Sequence, residues 1–213
     1  MTKPSIGLID TGTSNIKSVF YALKECGADV KHIYNYEQSN KNLDAIVVPG
    51  IGSFKFVMDK LKKEKLDRLI LESIEKKKPS LFICVGLQIL FSESYEFGLN
   101  KGLNVFAGKV IRLDEKIENS KKKRKIPFIG WNKIIKKKNC QIFKNIETND
   151  FFYFTHSYCA KPNDQEIISS EVDYFDLKYC SSLSDRNVFA TQFHPEKSSK
   201  KGIKLYKNFL SLV

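Results

Sequence analysis

Short apolar runs alternate with amphipathic segments through the first half of the chain. The runs have the length and composition of buried strands, and they lie at 6–9, 29–34, 45–48 and 81–84. The segments between them carry apolar side chains at helical spacing, and they lie at 16–23, 54–62, 66–77 and 88–91. Such alternation is typical of a parallel sheet with helices on both faces. The pattern predicts a doubly wound, flavodoxin-like α/β fold with a largely parallel sheet.

The second half of the chain has a different pattern, in which strand-like segments follow one another with short links. These segments lie at 110–113, 128–135, 151–155, 167–170 and 188–193. A closing helix is predicted over 199–212, where Ile203, Tyr206 and Phe209 share one apolar stripe. We therefore expect mixed strands in this half. Because no Pro/Gly-rich linker or internal repeat interrupts the chain, we expect one domain over residues 1–213.

Positive charge is concentrated in one segment. The chain of 213 residues has a formal net charge of +12, and residues 116–144 hold eleven Lys or Arg against one acid, a net +10. Basic runs at 121–125 and 136–138 are able to contact nucleic-acid phosphates, but no recognisable reading motif accompanies them. We therefore expect no nucleic-acid partner. A solvated loop and a docking surface for an acidic protein both stay open.

The cysteine content suits a reducing compartment. There are five cysteines, an odd number, and none forms a C-x-x-C pair or a zinc-type ligand set. The apolar run near the N-terminus is shorter than the ~7–15 residues of a secretory signal, and no run approaches the ~20 residues that span a bilayer. We expect a cytoplasmic protein without membrane, metal or cofactor, in which a reduced cysteine can serve as a nucleophile.

Cys84 is the strongest nucleophile candidate, because it stands between a predicted strand and a predicted helix. At such a sharp turn a side chain stands clear of the sheet, at the edge where ligands of α/β proteins bind. A following helix N-terminus would stabilise a thiolate, and the backbone N–H of Val85 would point at a developing oxyanion. The alternative at this position is a buried structural cysteine.

A histidine and a glutamate that suit this nucleophile follow the last predicted strand. His194 and Glu196 are two residues apart around Pro195, so in an extended chain their side chains project from the same side. A carboxylate beside an imidazole holds its tautomer and stabilises the imidazolium. Cysteine with a distant histidine is a recognised nucleophilic arrangement. The three residues therefore form a candidate catalytic triad.

The loop Pro49-Gly50-Ile51-Gly52 follows another predicted strand and is expected at the same edge of the sheet. Its glycines allow close approach of the backbone, so the loop is able to supply a second oxyanion donor beside Val85. A tight turn without a catalytic role is the alternative for these residues taken alone.

Three motifs together resemble the class I (triad) glutamine amidotransferases over nearly the whole chain. They are Cys84-Val85-Gly86-Leu87-Gln88, the loop at 49–52, and His194-Pro195-Glu196. Further segments resemble the glutaminase subunits of imidazole glycerol phosphate synthases, which act in histidine biosynthesis. These are Asp10-Thr11-Gly12 with Asn15, Gly130-Trp131-Asn132, and residues 153–158 and 192–198.

The resemblance implies a two-step hydrolysis of glutamine. Cys84 would attack the side-chain amide carbon, His194 would move the protons, and Glu196 would orient His194. Ammonia would leave first, and water would then cleave the thioester to release glutamate. The oxyanion site would be framed by Val85, Gly50 and Ile51. Contacts to glutamine would come from Gly52, Gln88, Glu96, His156, Ser157 and Tyr158, with His156 acting through its ring or its backbone.

The resemblance also implies a heterodimer with a (β/α)8-barrel cyclase subunit, which would receive the ammonia and make imidazole glycerol phosphate and AICAR. The region around Gly130-Trp131-Asn132, bracketed by the basic segment, would lie toward that cyclase. A paralogous role would use the same site to supply ammonia to a cyclase-like partner in surface-sugar biosynthesis. One position departs from the family pattern, because Phe82 stands where a glycine is usual and predicts crowding at the turn before Cys84.

Overall fold

The computed structural model describes residues 3–12, 16–40, 42–114 and 123–213. Asn15 and the basic residues between 116 and 122 lie outside the described residues. The strands are β1 (Ser5–Ile9), β2 (Asp29–Ile33), β3 (Ala45–Val48), β4 (Ser80–Ile83), β5 (Phe91–Ser94), β6 (Asn100–Lys101), β7 (Phe106–Arg112), β8 (Phe128–Lys136), β9 (Phe151–His156), β10 (Tyr158–Pro162), β11 (Ile168–Tyr174), β12 (Leu177–Asp185) and β13 (Val188–Thr191). The α-helices are α1 (Ile16–Glu25), α2 (Phe54–Lys63), α3 (Leu66–Glu75), α4 (Val85–Ile89) and α5 (Ser199–Leu210).

Two sheets form the framework of the described part. The larger has the strand order β2-β1-β3-β4-β13-β12-β11-β8-β9, and the smaller has the order β10-β7-β5-β6. From β2 to β13 neighbouring strands of the larger sheet are parallel, and from β13 to β9 they are antiparallel. The predicted α/β class with mixed C-terminal strands is confirmed. The antiparallel half is as extensive as the parallel half.

The order of the parallel strands places helices on both faces of the larger sheet. The chain moves in one direction from β1 to β2 through α1, and in the other direction from β3 to β4 through α2 and α3. Right-handed crossovers of opposite direction put their helices on opposite faces. Consistent with this, α1 contacts α5, whereas α2 contacts α3 and α4. In the part of the chain that the structure describes, no helix is long and apolar enough to cross a membrane.

The predicted helix over 88–91 is cut short by a tertiary contact. Helix α4 ends at Ile89, and Phe91 already belongs to β5. The N–H groups of Leu103 and Val105 donate to the carbonyls of Ile89 and Leu90 at 2.8 Å, so they take acceptors that a longer helix would use. A Cβ at Gly102 would lie 2.1 Å from the Phe91 carbonyl oxygen, and glycine alone permits that approach.

Strand β12 was not predicted, because its Cys-Ser-Ser-Leu-Ser-Asp sequence has low β-propensity. The structure buries these serines against β11 and pairs their hydroxyls across the two strands. Ser169 lies 2.7 Å from Ser182, and Ser170 lies 2.7 Å from Ser181 and 2.6 Å from Ser182. Mutual hydrogen bonding therefore satisfies the polar groups that made this segment resemble a loop.

Several side chains of the basic segment make contacts within the fold. Arg124 is buried, and its guanidinium donates to the backbone carbonyls of Tyr174 and Phe175. Lys137 pairs with Glu171 at 3.3 Å, and Lys138 donates to the Ser184 carbonyl at 2.8 Å. These residues are not a free basic patch for a polyanion.

Candidate active site

The carboxyl ends of four parallel strands converge where the sequence predicted a site. Asp10 follows β1, Pro49 follows β3, Cys84 follows β4, and Gln192 follows β13. The Thr11 hydroxyl donates to the Pro49 carbonyl at 2.9 Å, and the Cys84 N–H donates to the Thr191 carbonyl at 2.7 Å. The site thus lies beside the change of crossover direction between β1 and β3, where α/β sheets bind ligands.

Cys84 occupies a strained turn between β4 and α4. Its φ of 56° and ψ of −108° are unusual for a residue with a side chain, and such strain is typical of nucleophile turns. Close packing at the turn falls on Gly86, whose Cβ would lie 2.2 Å from the Val48 carbonyl oxygen. The crowding expected from Phe82 is not observed. The Phe82 side chain is fully buried in the core, and its Cβ would lie at an ordinary 3.6 Å from a Cβ at Gly86.

His194 and Glu196 form a buried pair beside the Cys84 sulfur. The His194 Nδ1 lies 2.8 Å from the Glu196 Oε1, and both side chains are fully buried. Burial opposes the imidazolium, but the Cys84 sulfur and the Glu196 carboxylate outweigh it and raise the pKa of His194 to about 10. The ring is therefore favoured as a cation beside the Glu196 carboxylate and the Cys84 sulfur. This arrangement suits a thiolate nucleophile with a proton donor next to it.

Helix α5 supports the turn that carries this pair. A Cβ at Gly202 would lie 1.7 Å from the Pro195 carbonyl oxygen, so the helix backbone lies directly against the turn. The Ser198 hydroxyl donates to the His194 carbonyl at 2.6 Å, and the His194 N–H donates to the Tyr153 carbonyl at 2.9 Å. Gly202 was not singled out from the sequence, because a lone glycine in a helical segment carries no signal of what lies against it.

A pocket of about 260 Å³ opens beside Cys84. Its lining brings together most of the predicted site residues, and it consists of Ile51, Gly52, Cys84, Val85, Gln88, Glu96, Thr155, His156, Ser157, Tyr158 and Lys197. Thr155 and Lys197 had no predicted role, although both lie in the motifs that carried the resemblance. His194, Glu196 and Gly50 are not part of this lining, but His194 interacts with Cys84 and Gly50 packs against Val85. Among the described residues, no group of three or more His, Cys, Asp or Glu is placed to hold a metal ion.

The residues predicted to frame the oxyanion site are adjacent, but two of them are hydrogen-bonded to each other. The Val85 N–H donates to the Gly50 carbonyl at 3.3 Å, so this donor is already used. The close approach depends on glycine, because a Cβ at Gly50 would lie 3.0 Å from both the Gly86 nitrogen and the Val85 Cβ. Rotation of the peptide between Gly50 and Ile51 would withdraw that oxygen and bring the Ile51 N–H toward the same space. In the arrangement that the structure holds, the Val85 N–H is engaged by Gly50 and is not available to a ligand oxygen in the pocket.

Glu96 presents a carboxylate at the side of the pocket. Its Oε2 accepts the N–H of Phe54, the first residue of α2, at 2.6 Å. Burial raises the pKa of Glu96, and the hydrogen bond from Phe54 opposes that shift. The carboxylate is thus anchored by a helix N-terminus and available as a partner for a ligand's ammonium group.

His156 acts on the pocket through a backbone carbonyl. Its Nδ1 lies 3.0 Å from the Tyr158 carbonyl oxygen, which can only accept, so Nδ1 carries the proton. The other ring nitrogen, Nε2, accepts from the Tyr179 hydroxyl at 3.1 Å. Burial lowers the pKa of His156 to about 3, so the ring is neutral near pH 7. The ring thus orients the Tyr158 carbonyl, and its side-chain polar atoms are engaged within the fold.

The neutral state of His156 predicts a specific loss of stability in acid. In the unfolded chain its pKa returns to ~6.5, so between pH 6.5 and 3 the unfolded state binds a proton that the folded state excludes. The contribution of the neutral His156 to the free energy of unfolding is therefore fully present above pH 6.5, and it falls by ~1.4 kcal/mol per pH unit between pH 6.5 and 3. Between pH 4 and 6, the free energy of unfolding measured with urea should change less steeply with pH for His156→Asn than for the unmodified chain. At pH 7–8 the two slopes should coincide, and equal slopes at pH 4–6 would contradict the assignment.

Comparison with known proteins agrees with this geometry. Residues 7–212 match the family model described as glutamine amidotransferase class-I. The chain is 42% identical over 207 residues to imidazole glycerol phosphate synthase subunit HisH of Pyrococcus furiosus, covering 97% of this chain and 98% of that protein. It is 40% identical over 212 residues to the subunit of the same name from Pelagibacter ubique, covering 98% and 100%.

Solved structures agree in fold. PurLQS from Thermotoga maritima superposes with a TM-score of 0.73 at 18% identity, covering 99% of each chain. A glutamine amidotransferase from Thermotoga maritima superposes with a TM-score of 0.65 at 15% identity, covering 100% of this chain and 86% of that one. With the family model spanning nearly the whole sequence, the chain belongs to the class I glutamine amidotransferases.

Proposed function

We propose that this chain is the glutaminase subunit of an imidazole glycerol phosphate synthase and passes ammonia to a (β/α)8-barrel cyclase in histidine biosynthesis. The glutaminase chemistry rests on one observation above all: Cys84 stands on a strained turn beside the His194–Glu196 pair, at a pocket of about 260 Å³. The choice of synthase rests on the names of relatives that are 40% or more identical over nearly the whole chain. The active unit is one domain over residues 1–213.

The triad performs the hydrolysis in two halves. The Cys84 thiolate attacks the amide carbon of glutamine and forms a carbon–sulfur bond, His194 gives its proton to the amide nitrogen, and the carbon–nitrogen bond breaks to release ammonia. Water then attacks the thioester, its proton goes to His194, and the carbon–sulfur bond breaks to release glutamate. Glu196 keeps the imidazole in place through the 2.8 Å contact. In this role Glu96 holds the ammonium group of glutamine, while Gln88, Ser157 and Tyr158 position the rest of the substrate.

An exposed apolar face that continues from the pocket supports the proposal of a protein partner. On the paired strands β8 and β9, Trp131 lies opposite Tyr153 and Ile129 lies opposite Thr155, a residue of the pocket wall. The Ile129 and Trp131 side chains are at least half exposed. The Lys197 ammonium lies 5.7 Å from the Tyr153 ring centre and also lines the pocket. An exposed apolar face edged by lysine is typical of a protein-binding surface, and the charge favours an acidic partner.

The isolated chain is expected to hydrolyse glutamine slowly and to be stimulated by its cyclase. The reason is the bond from the Val85 N–H to the Gly50 carbonyl, which leaves the oxyanion without this donor. One missing donor costs ~10²–10³-fold in kcat, so stimulation of that order is expected when the partner and its ligand rearrange the loop. Glutamate release measured with and without the cyclase tests this. Full activity of the isolated chain would contradict it.

The histidine pathway is tested by complementation. Expression of the chain with its cyclase partner should restore growth of a histidine auxotroph that lacks its own glutaminase subunit. Failure of growth by a protein that still hydrolyses glutamine would favour the surface-sugar role, because the acceptor binds the partner. Identification of the barrel protein that co-purifies with the chain, and of its substrate, would separate the two roles directly.

A further inference from the structure

A buried amide contacts the sulfur of Cys84 and has no part in the chemistry described above. Gln192 follows β13 and is fully buried. Its Nε2 lies 3.6 Å from the Cys84 Sγ, a hydrogen-bond distance for sulfur. Its Oε1 accepts from the Gln88 Nε2 at 3.2 Å. The side chain thus joins the nucleophile to a residue of the pocket wall.

The neighbouring contacts fix which atom of Gln192 faces the sulfur. The Tyr158 carbonyl can only accept, so the atom of Gln88 that lies 2.8 Å from it is the amide nitrogen. The same nitrogen then donates its second hydrogen to Gln192, which must present its oxygen there. The Gln192 nitrogen is left to face Cys84. Reversing the Gln192 amide would place its nitrogen against the Gln88 nitrogen, which is a donor, and its oxygen against the Cys84 sulfur.

We propose that Gln192 is a further catalytic residue that stabilises the Cys84 thiolate with its side-chain N–H. The proposal rests on the nucleophile assignment of the proposed function. When water adds to the thioester, a carbon–oxygen bond forms and the carbon–sulfur bond breaks. The electron pair stays on sulfur and the water proton goes to His194. The amide N–H therefore assists twice, because it favours the thiolate before attack and stabilises it as the leaving group.

The interaction sets the size of the expected effect. Removing the Gln192 side-chain N–H removes its hydrogen bond to the sulfur. Loss of a hydrogen bond to a charged group corresponds to a decrease in kcat of about tenfold to a hundredfold. Gln192→Met removes the donor while keeping a similar length and an uncharged side chain. Gln192→Glu places a carboxylate beside the sulfur and is expected to have a larger effect. Thr191→Val is the matched control, because it changes the adjacent buried residue, whose hydroxyl donates to the Phe193 carbonyl and not to sulfur.

The test combines alkylation of Cys84 with steady-state kinetics. In the full chain, iodoacetamide modification of Cys84 is followed by mass spectrometry across pH 5–10. For Gln192→Met the midpoint of this profile should move up by about one to two pH units, and for Gln192→Glu by more. In the complex with the cyclase, kcat should fall about tenfold to a hundredfold with little change in KM, and the glutamyl thioester should accumulate. The Thr191→Val control should keep the original alkylation profile.

Other results would overturn the proposal. A raised KM with an unchanged alkylation profile would mean that Gln192 acts by holding Gln88 and not through the sulfur. If Gln192→Met does not fold, Gln192→Glu decides on the same readouts, because a folded Glu variant with the original profile excludes the contact. The proposed function is tested separately. Glutamine turnover by Cys84→Ala would show that Cys84 is not the nucleophile. Loss of turnover in Cys84→Ala with normal behaviour of both Gln192 variants would overturn this inference alone.

Discussion

Replacing Cys84 by alanine is expected to abolish glutamine hydrolysis while leaving the fold intact. Alanine has no atom that attacks the amide carbon, so the thioester cannot form. Removal of a nucleophile that acts with its base as a unit costs on the order of 10⁴-fold or more in kcat. The fold should survive because the substitution deletes a single sulfur from the wall of a pocket. Ammonia and glutamate release in the presence of the proposed cyclase partner measures the first effect, and thermal unfolding measures the second.

A second cysteine provides the control for Cys84. Cys26 lies in the half-buried region between α1 and α5, with its thiol 3.7 Å from the Ile203 carbonyl oxygen. Burial raises the pKa of Cys26, which keeps it a thiol near pH 7. Cys26→Ala should therefore retain turnover and cyclase binding. Measurable hydrolysis by Cys84→Ala, after exclusion of a contaminating glutaminase, would remove Cys84 from the mechanism.

Replacing Gly202 by alanine is expected to displace the turn that carries His194 and Glu196. In a solvent-exposed helix this change stabilises by ~1 kcal/mol, because alanine is the better helix former. Here the added Cβ would lie 1.7 Å from the Pro195 carbonyl oxygen and 3.1 Å from the Pro195 Cα, so backbone has to move. Overpacking of this kind costs ~1–3 kcal/mol, which outweighs the helix gain. A shift of about 1 Å at His194 and Glu196 should lower kcat ~10²-fold.

The control for Gly202 comes from the same helix. Lys200 is exposed in the first turn of α5, and Lys200→Ala changes helix propensity without adding an atom against the turn. Lys200→Ala should keep both turnover and stability, whereas Gly202→Ala should lose both. Full kcat in Gly202→Ala would show that the turn moves with the helix and that the close approach of α5 does not hold the triad in place.

The local sequence was sufficient to predict those strands that are formed by short, continuous apolar runs. The parallel strands β1, β3 and β4 are continuous apolar runs, and in the structure they are buried. Runs of this kind have little alternative to a central sheet position. Strands β5, β6, β10 and β12 were not predicted, and for β12 the reason is a tertiary contact, because its serine hydroxyls pair with those of β11. The end of α4 was misplaced for the same reason, since residues 102–105 take its carbonyls.

The proximity of Cys84, His194 and Glu196 could be predicted because each residue lies in a short motif that places it at the edge of the sheet. A cysteine between strand and helix, a Gly-rich loop, and a histidine two residues before a glutamate each predict a position at the sheet edge. The contact of Gln192 with sulfur had no such signal, because it depends on Gln88 and Tyr158, which are far away in the chain. The same holds for Gly202, where the decisive atom belongs to Pro195.

The amino-acid sequence alone therefore predicted the α/β class, which the structure confirms, and the sheet edge at which Cys84, His194 and Glu196 meet, while their catalytic roles stay predictions. These follow from periodicity and from motifs that act over a few residues. Tertiary structure decided how the motifs meet. It determined that the Val85 N–H donates to the Gly50 carbonyl at 3.3 Å and that burial keeps His156 neutral. It also determined that the Gln192 amide nitrogen faces the Cys84 sulfur. The physical reason is that hydrogen bonding and desolvation depend on which groups the fold brings within about 3–4 Å, and sequence spacing does not encode that distance.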